Sequence, residues 1–177
     1  ALDEQGYLDD AMIMFTSDHG DCLGDHGLSQ KWSGYDQVVR VPAIVWKPGT
    51  VKAGHEVSNL CQQFDISQTL LEMAGIQIPS SFESESVMDG VLGKLQSGRK
   101  YVFAEQGGDG NLTDAQMVTM VRSEKWKMIH YAGETFGQLF DLEKDPLESR
   151  NLWEDTSFDR EKRSLHEALL NWHIQSQ

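Results

Sequence analysis

The sequence predicts a mixed α/β fold: an open, mostly parallel sheet with helices, followed by a small antiparallel sheet of about four strands and a C-terminal helix. Three observations carry this. "AMIMFT" at 11–16 and "AIVW" at 43–46 are short, continuous apolar runs, the pattern of strands buried on both faces as in a parallel sheet. "SGYDQVVR" between them suits a short helix, so the order is strand, loop, helix, strand. From residue 100 onward, "KYVFAEQ", "AQMVTMVRS", "KWKMIHYA" and "GQLFDLEKDP" are short β-type runs separated by Gly, Asp and Asn turns, the signature of antiparallel strands.

The elements follow in order. "ALDEQGYLDD" has no initiator Met, basic n-region or apolar h-region, and reads as the end of a helix that began upstream, with Leu2 and Leu8 as its apolar remnants. After the two apolar runs, "VSNLCQQFDISQTLLEMAGI" reads as a strand candidate running into a helix. Asp65 is the expected N-cap with Gln68 completing a capping box; Leu70, Leu71 and Met73 supply the apolar surface, and Gly75 suits C′. "IPSSFESES" is a polar connection. A loose boundary within 79–99 therefore divides the chain into 1–85, the α/β part with the polar loop, and 86–177, an α+β subdomain. "SFDREKRSLHEALLNWHIQ" closes the chain as an amphipathic helix, with Leu165, Leu169 and Trp172 on one stripe and Arg160, Glu161, Lys162 and Arg163 outside it. Trp126, Trp153 and Trp172 are expected to pack this subdomain.

At 177 residues the chain suffices for one domain with a real core or for part of a larger enzyme. Its 39% hydrophobic and 24% charged content is that of an ordinary soluble protein, and no apolar run approaches the roughly 20 residues that span a bilayer. A membrane segment is thereby excluded. The formal charge of -13 argues against nonspecific nucleic-acid binding, which needs basic surface to displace counterions. An anionic substrate would need local cations. Cys22 and Cys61 stand in unrelated contexts with no C-x-x-C pair, which leaves the compartment open.

The loop that begins at Ser17 crowds Asp18, His19, Asp21, Asp25, His26 and Lys31 together. In open α/β sheets, ligands gather beyond the carboxyl ends of the strands, where Asp18 and His19 are expected to sit. Adjacent Asp and His side chains both reach one cation where the backbone turns, and Gly20 permits a turn. The alternative is a solvated turn closed by an Asx bond. Neither an EF-hand nor H-E-x-x-H, G-x-S-x-G or a P-loop is present. Asp25 and His26 are read either as supporting the metal ligands or as a hydrogen-bonded loop pair. Arg40 is read as structural, bridging loop and sheet. Glu105 is read as a surface carboxylate, with substrate recognition the lesser alternative.

The stretch "FTSDHGDCLGDHGLSQKWSGYDQVVRVPAIV" closely resembles the sulfatase family of the alkaline-phosphatase superfamily. The Thr-Ser-Asp-His-Gly string, the Leu-Gly-Asp-His-Gly string, a lysine soon after and Arg-Val-Pro before an apolar strand occur together and in order. "FDISQTLLEMAGI", "VRSEKWKMIHY" and "QLFDLEKDPLESRNL" extend the resemblance over essentially the whole chain, as the C-terminal portion of such an enzyme. It implies that Asp18 and His19 are metal ligands for a divalent cation, Ca²⁺ first, with Mn²⁺ or Mg²⁺ as alternatives. It implies that Lys31 contacts the sulfate ester and its leaving-group oxygen.

The family's formylglycine nucleophile arises in a C/S-x-P/A-x-R motif, and neither Cys22, followed by "LGDH", nor Cys61, followed by "QQFD", fits. The family's first pair of metal-binding acids has no match either. The resemblance thus implies half of an active site and no turnover by these residues alone. The implied substrate is a sulfate ester, either a small molecule or a sulfated carbohydrate. Alternatives are a phosphonate or phosphate ester hydrolase of the same superfamily and a non-catalytic binding module. An open sheet edge is expected to drive self-association or to pair with a missing N-terminal half.

Overall fold

The computed structural model describes residues 2–94, 98–107 and 115–176. Part of the expected boundary, 95–97, and residues 108–114, where a turn is expected from the sequence, lie outside the described residues. The chain folds as two compact units, one built from 1–18 and 41–98, the other from 19–40 and 99–177. The polar loop thus folds with the C-terminal sheet, although in sequence it precedes the connection at 79–99.

In the first unit, strand β1 (Ile13–Thr16) pairs with β2 (Ala43–Trp46), and the pairing is antiparallel, with Ile13 opposite Trp46 and Phe15 opposite Ile44. This corrects the expectation of a parallel pair. The connection, residues 17–42, is long enough for a parallel crossover, but it contains only one α-helical turn, α1 (Asp36–Val39), and the chain returns in the antiparallel register. The expected burial on both faces is also absent within the unit, where Phe15 is 59% and Ile44 57% exposed. The N-terminal segment forms two short 3-10 turns, Asp3–Gln5 and Tyr7–Asp9, rather than the end of an α-helix, and Leu2 is exposed.

Helix α2 (Gln63–Met73) begins before the expected N-cap. Gln62 takes that role, and Asp65 is the N3 partner of a reciprocal capping box, accepting from Gln62 N at 2.7 Å. Gly75 does stand at C′, with φ +67°. The buried side of α2 within the unit is Asp65, Ile66 and Thr69, while Leu70 is exposed. Polar burial there is satisfied by the connection that follows: Glu85 N donates to Asp65 Oδ1 at 2.8 Å and Val87 N to Thr69 Oγ1 at 3.0 Å. That strap leads into the short helix α3 (Met88–Val91).

The second unit is a four-stranded antiparallel meander as expected, β3 (Val102–Gly107), β4 (Met117–Arg122), β5 (Trp126–Tyr131) and β6 (Gly137–Asp141), in that order. Helix α4 (Asp159–Gln175) covers one face, with Leu165, Ala168 and Leu169 packed on Val121, Met128 and Leu139. Trp126, Trp153 and Trp172 all join this core, and Trp172 stacks on Phe103 with ring centroids 4.6 Å apart. Tyr35 and Val39, from the segment 19–40, lie against the opposite core of Val118, Met120, Ile129 and Phe140. The central strands are therefore buried on both sides. That is why they are largely apolar, with Thr119 and Lys127 as buried exceptions.

Candidate active site

β1 ends at Thr16, and Ser17 and Asp18 follow at its carboxyl end, where the first unit holds them. The Gln63 amide, at the start of α2, donates to Ser17 O at 2.5 Å and to Asp18 O at 3.1 Å, so the backbone leaving the strand is pinned by a helix. The Asp18 carboxylate accepts from Ser17 Oγ at 3.4 Å. His19 is joined to Asp18 by a trans peptide, which keeps their Cα atoms about 3.8 Å apart.

His19 belongs to the second unit. Its Nδ1 lies 2.8 Å from Gly20 O. A carbonyl only accepts, so Nδ1 is the donor in this contact, which makes Nε2 the nitrogen through which this ring would ligate a metal. A carboxylate and an imidazole are donor types that a divalent cation accepts. Among the described residues no group of three His, Cys, Asp or Glu side chains converges to complete a site.

Gly20 serves a different purpose from the turn expected of it. Its N–H donates to Val38 O at 2.8 Å, and a Cβ at this position would lie 1.9 Å from Gln37 O. The backbone of α1 passes so close that only glycine fits. Gly34 shows the same logic on the sheet side, since a Cβ there would lie 2.8 Å from Ile129 Cδ1. The loop is thus clamped where it starts and where it returns.

Between the clamps the chain folds on itself. Asp21 Oδ1 accepts from Leu23 N at 2.8 Å and Gln30 N at 3.1 Å, and Cys22 N donates to Gln30 O at 3.0 Å. Asp21 is therefore a loop-closing acid. His26, at φ +54°, lays its ring flat on Tyr35, 3.8 Å between centroids and 3° from parallel. Tyr35 in turn accepts at its hydroxyl from the Gln138 amide at 2.7 Å. Burial and the Glu148 carboxylate hold the Tyr35 hydroxyl above the usual tyrosine range, against the lowering effect of the Gln138 bond, which ranks second to burial. His26 is a strut between loop and sheet.

Lys31 is exposed, with its Nζ 5.8 Å from the Trp32 ring. Trp32 donates from Nε1 to Gln30 Oε1 at 2.9 Å, which fixes the ring beside the lysine. Among the described residues no carboxylate lies within ion-pair distance of Lys31 Nζ. An exposed ammonium of this kind can meet an anion without first surrendering a partner.

Arg40 does not bridge loop and sheet: it is 73% exposed, and its Nη1 is 3.8 Å from Asp36, on the same helical turn. The bridging is done by residues that sequence reading overlooked. Lys127, on β5 and 0% exposed, contacts the carboxylates of Asp36 and Glu148. Arg122 Nη1 reaches both Asp36 oxygens, at 2.9 and 3.1 Å. A lone lysine inside the apolar run "WKMIHY" was the available signal. Glu105 is exposed on β3, as expected of a surface carboxylate.

Residues 24–175 match the family described as N-sulphoglucosamine sulphohydrolase, C-terminal. The chain is 35% identical over 156 residues to an arylsulfatase of Clostridium perfringens, covering 86% of this chain and 31% of that protein. It is 28% identical over 176 residues to an N-acetylglucosamine-6-O-sulfatase of Bacteroides thetaiotaomicron, covering 95% of this chain and again 31% of the relative. Among solved structures, one of a protein in complex with its substrate D-glucosamine-2-N,6-O-disulfate superposes with TM-score 0.89 at 25% identity, over 99% of this chain and 36% of that one. A phosphonate monoester hydrolase from Silicibacter pomeroyi superposes with TM-score 0.87 at 27% identity, over 99% and 37%. The chain spans about a third of the length of these relatives. By residues 24–175 and by these likenesses, the chain belongs to the sulfatase family and corresponds to its C-terminal region.

Proposed function

We propose that these residues form one side of the active site of a sulfuric ester hydrolase, with Asp18 and His19 as ligands of a divalent cation and Lys31 as a contact to the ester. The single observation that carries the reading is the loop itself: a histidine whose Nδ1 lies 2.8 Å from Gly20 O, which directs metal ligation to Nε2, and, twelve positions later on the same clamped segment, an exposed lysine with no carboxylate within ion-pair distance among the described residues. The cation, Ca²⁺ first, with Mn²⁺ or Mg²⁺ as alternatives, would supply positive charge where negative charge grows on the ester oxygens. Lys31 adds a fixed ammonium to the same end. As the S–O bond breaks, charge moves to the leaving oxygen, and Lys31 is placed to stabilise it or to hand it a proton. The formylglycine nucleophile and further metal ligands come from outside these residues, so these residues alone turn over no ester.

The names of the relatives favour a sulfated amino sugar as substrate. A phosphonate ester is the second reading, supported by the likeness to a phosphonate monoester hydrolase. The test uses the full-length protein with an aryl sulfate, a glucosamine 6-sulfate and an aryl phosphonate. Sulfate turnover that collapses in Lys31→Ala, by on the order of a hundredfold or more for a lost charge-stabilising contact, supports the reading. Phosphonate turnover above sulfate turnover would favour the second. Full activity in Lys31→Ala would remove the assigned role.

A further inference from the structure

We infer that Lys127, Asp36, Glu148 and Arg122 form a positioning lock that holds the loop carrying His19 and Lys31 in one conformation; this rests on the reading of that loop as an active-site element. The network is closed and directional. Asp36 opens α1, and its backbone N–H donates to Glu148 Oε2 at 2.7 Å while its carboxylate takes Arg122 and Lys127. Lys127 Nζ lies 2.6 Å from Glu148 Oε1. Two acids face two bases, so the cluster is formally balanced. From Asp36 the constraint runs through α1 to Val38 O, which accepts the Gly20 N–H, and so to His19.

Three features say that this is more than ordinary stabilisation. A buried ion network is seldom more stable than a well-packed apolar replacement; its distinctive contribution is a defined geometry. Glu148 is 2% exposed and held at φ +54°, a conformation a glutamate adopts only when its surroundings impose it. The network also reaches over a distance no apolar contact covers as specifically: it ties the β5 strand, the loop after β6 and the first residue of α1 at one point. Lys127, Asp36 and Glu148 touch no substrate in this scheme. They act through the backbone of residues 20–38.

The test uses the full-length protein and two readouts, steady-state kinetics on an aryl sulfate and amide exchange of residues 19–33. The double substitution Asp36→Asn with Lys127→Met removes one acid and one base and leaves Arg122 and Glu148 balanced. The expected result is a folded protein by circular dichroism whose kcat falls on the order of a hundredfold, the loss expected when reacting groups are misplaced by about 1 Å. KM should change little and exchange at 19–33 should accelerate. If the double variant does not fold, Asp36→Glu, which keeps the charge and lengthens the arm by one methylene, gives the same test with the same expected direction. Arg40→Ala, which touches Asp36 only from the surface, should leave kcat unchanged. Wild-type kcat with wild-type exchange in a folded lock variant overturns the inference. If the unsubstituted protein cleaves no ester, the active-site reading fails, and the exchange data alone still decide whether the lock holds the loop.

Discussion

Replacing Gly20 by Ala puts the clamp at the start of the loop to a direct test. The new Cβ would sit 1.9 Å from Gln37 O, so loop and α1 must separate by about 1.4 Å to reach ordinary carbon–oxygen contact near 3.3 Å. The obstacle is a backbone carbonyl, which cannot rotate away as a side chain would. A shift of that size carries the 2.8 Å bond from Gly20 N to Val38 O out of range, at about 1 kcal/mol. Overpacking adds about 1–3 kcal/mol. The sum is about 2–4 kcal/mol against the second unit. Urea unfolding followed by tryptophan fluorescence reads that unit, because Trp32, Trp126, Trp153 and Trp172 lie in it and only Trp46 lies in the other. With two units the transition is fitted by unit rather than as a single two-state step. The expected result is an earlier tryptophan transition with little change in slope. A midpoint equal to the unsubstituted chain would refute the reasoning, because it would mean that the segment 19–40 yields at Gly20 without cost.

Two other perturbations address other regions. Asp65→Ala leaves the Gln62 amide without its acceptor in a buried setting and the Glu85 amide in a part-buried one, so the first unit should lose about 1–3 kcal/mol; loss of helical ellipticity at lower temperature is the readout, and an unchanged melt would contradict the role given to the capping box. His130 on β5 and His166 on α4 meet edge to face at 5.2 Å, and burial lowers both pKa values from the ordinary 6.5, with the neighbouring His130 and then Lys162 lowering His166 further. Because the unfolded chain binds protons more readily than these rings do, their contribution to stability is fully present above pH 6.5 and is lost as pH falls below it. The urea midpoint of the tryptophan transition should therefore drop between pH 7.5 and 5.5. The drop should shrink in His166→Gln, and an equal drop in that variant would assign the pH dependence elsewhere.

The antiparallel meander and the closing helix were legible because they rest on local signals: short β-type runs cut by turn residues, and a stripe of Leu165, Leu169 and Trp172 at helical spacing. The pairing of β1 with β2 was not. Residues 17–42 are long enough to return in either direction, so the length of the connection does not decide it, and the antiparallel register is carried by no local signal. The start of α2 was misplaced by three residues because Asp65 suits either end of a capping box, and only the Gln62 backbone settles which. In the loop, residue types alone left a cation site and a solvated turn as alternatives, and it is the resemblance to the sulfatase family that singles out Asp18, His19 and Lys31. Their supports are long-range.

Sequence by itself determined the family, the order of the four meander strands and the closing helix, and the residues that carry charge in the loop, all of which follow from identity and spacing along the chain; the strand expected in "VSNLC" before α2 is absent. Tertiary structure alone decided what Gly20 is for, why His26 lies on Tyr35, and that Lys127 rather than Arg40 ties loop to sheet. The reason is physical. A strand lysine between Trp126 and Met128 reads as the solvent half of an alternating pattern, and its burial becomes visible only when a second layer, residues 35–39, is laid on that face with an acid facing it.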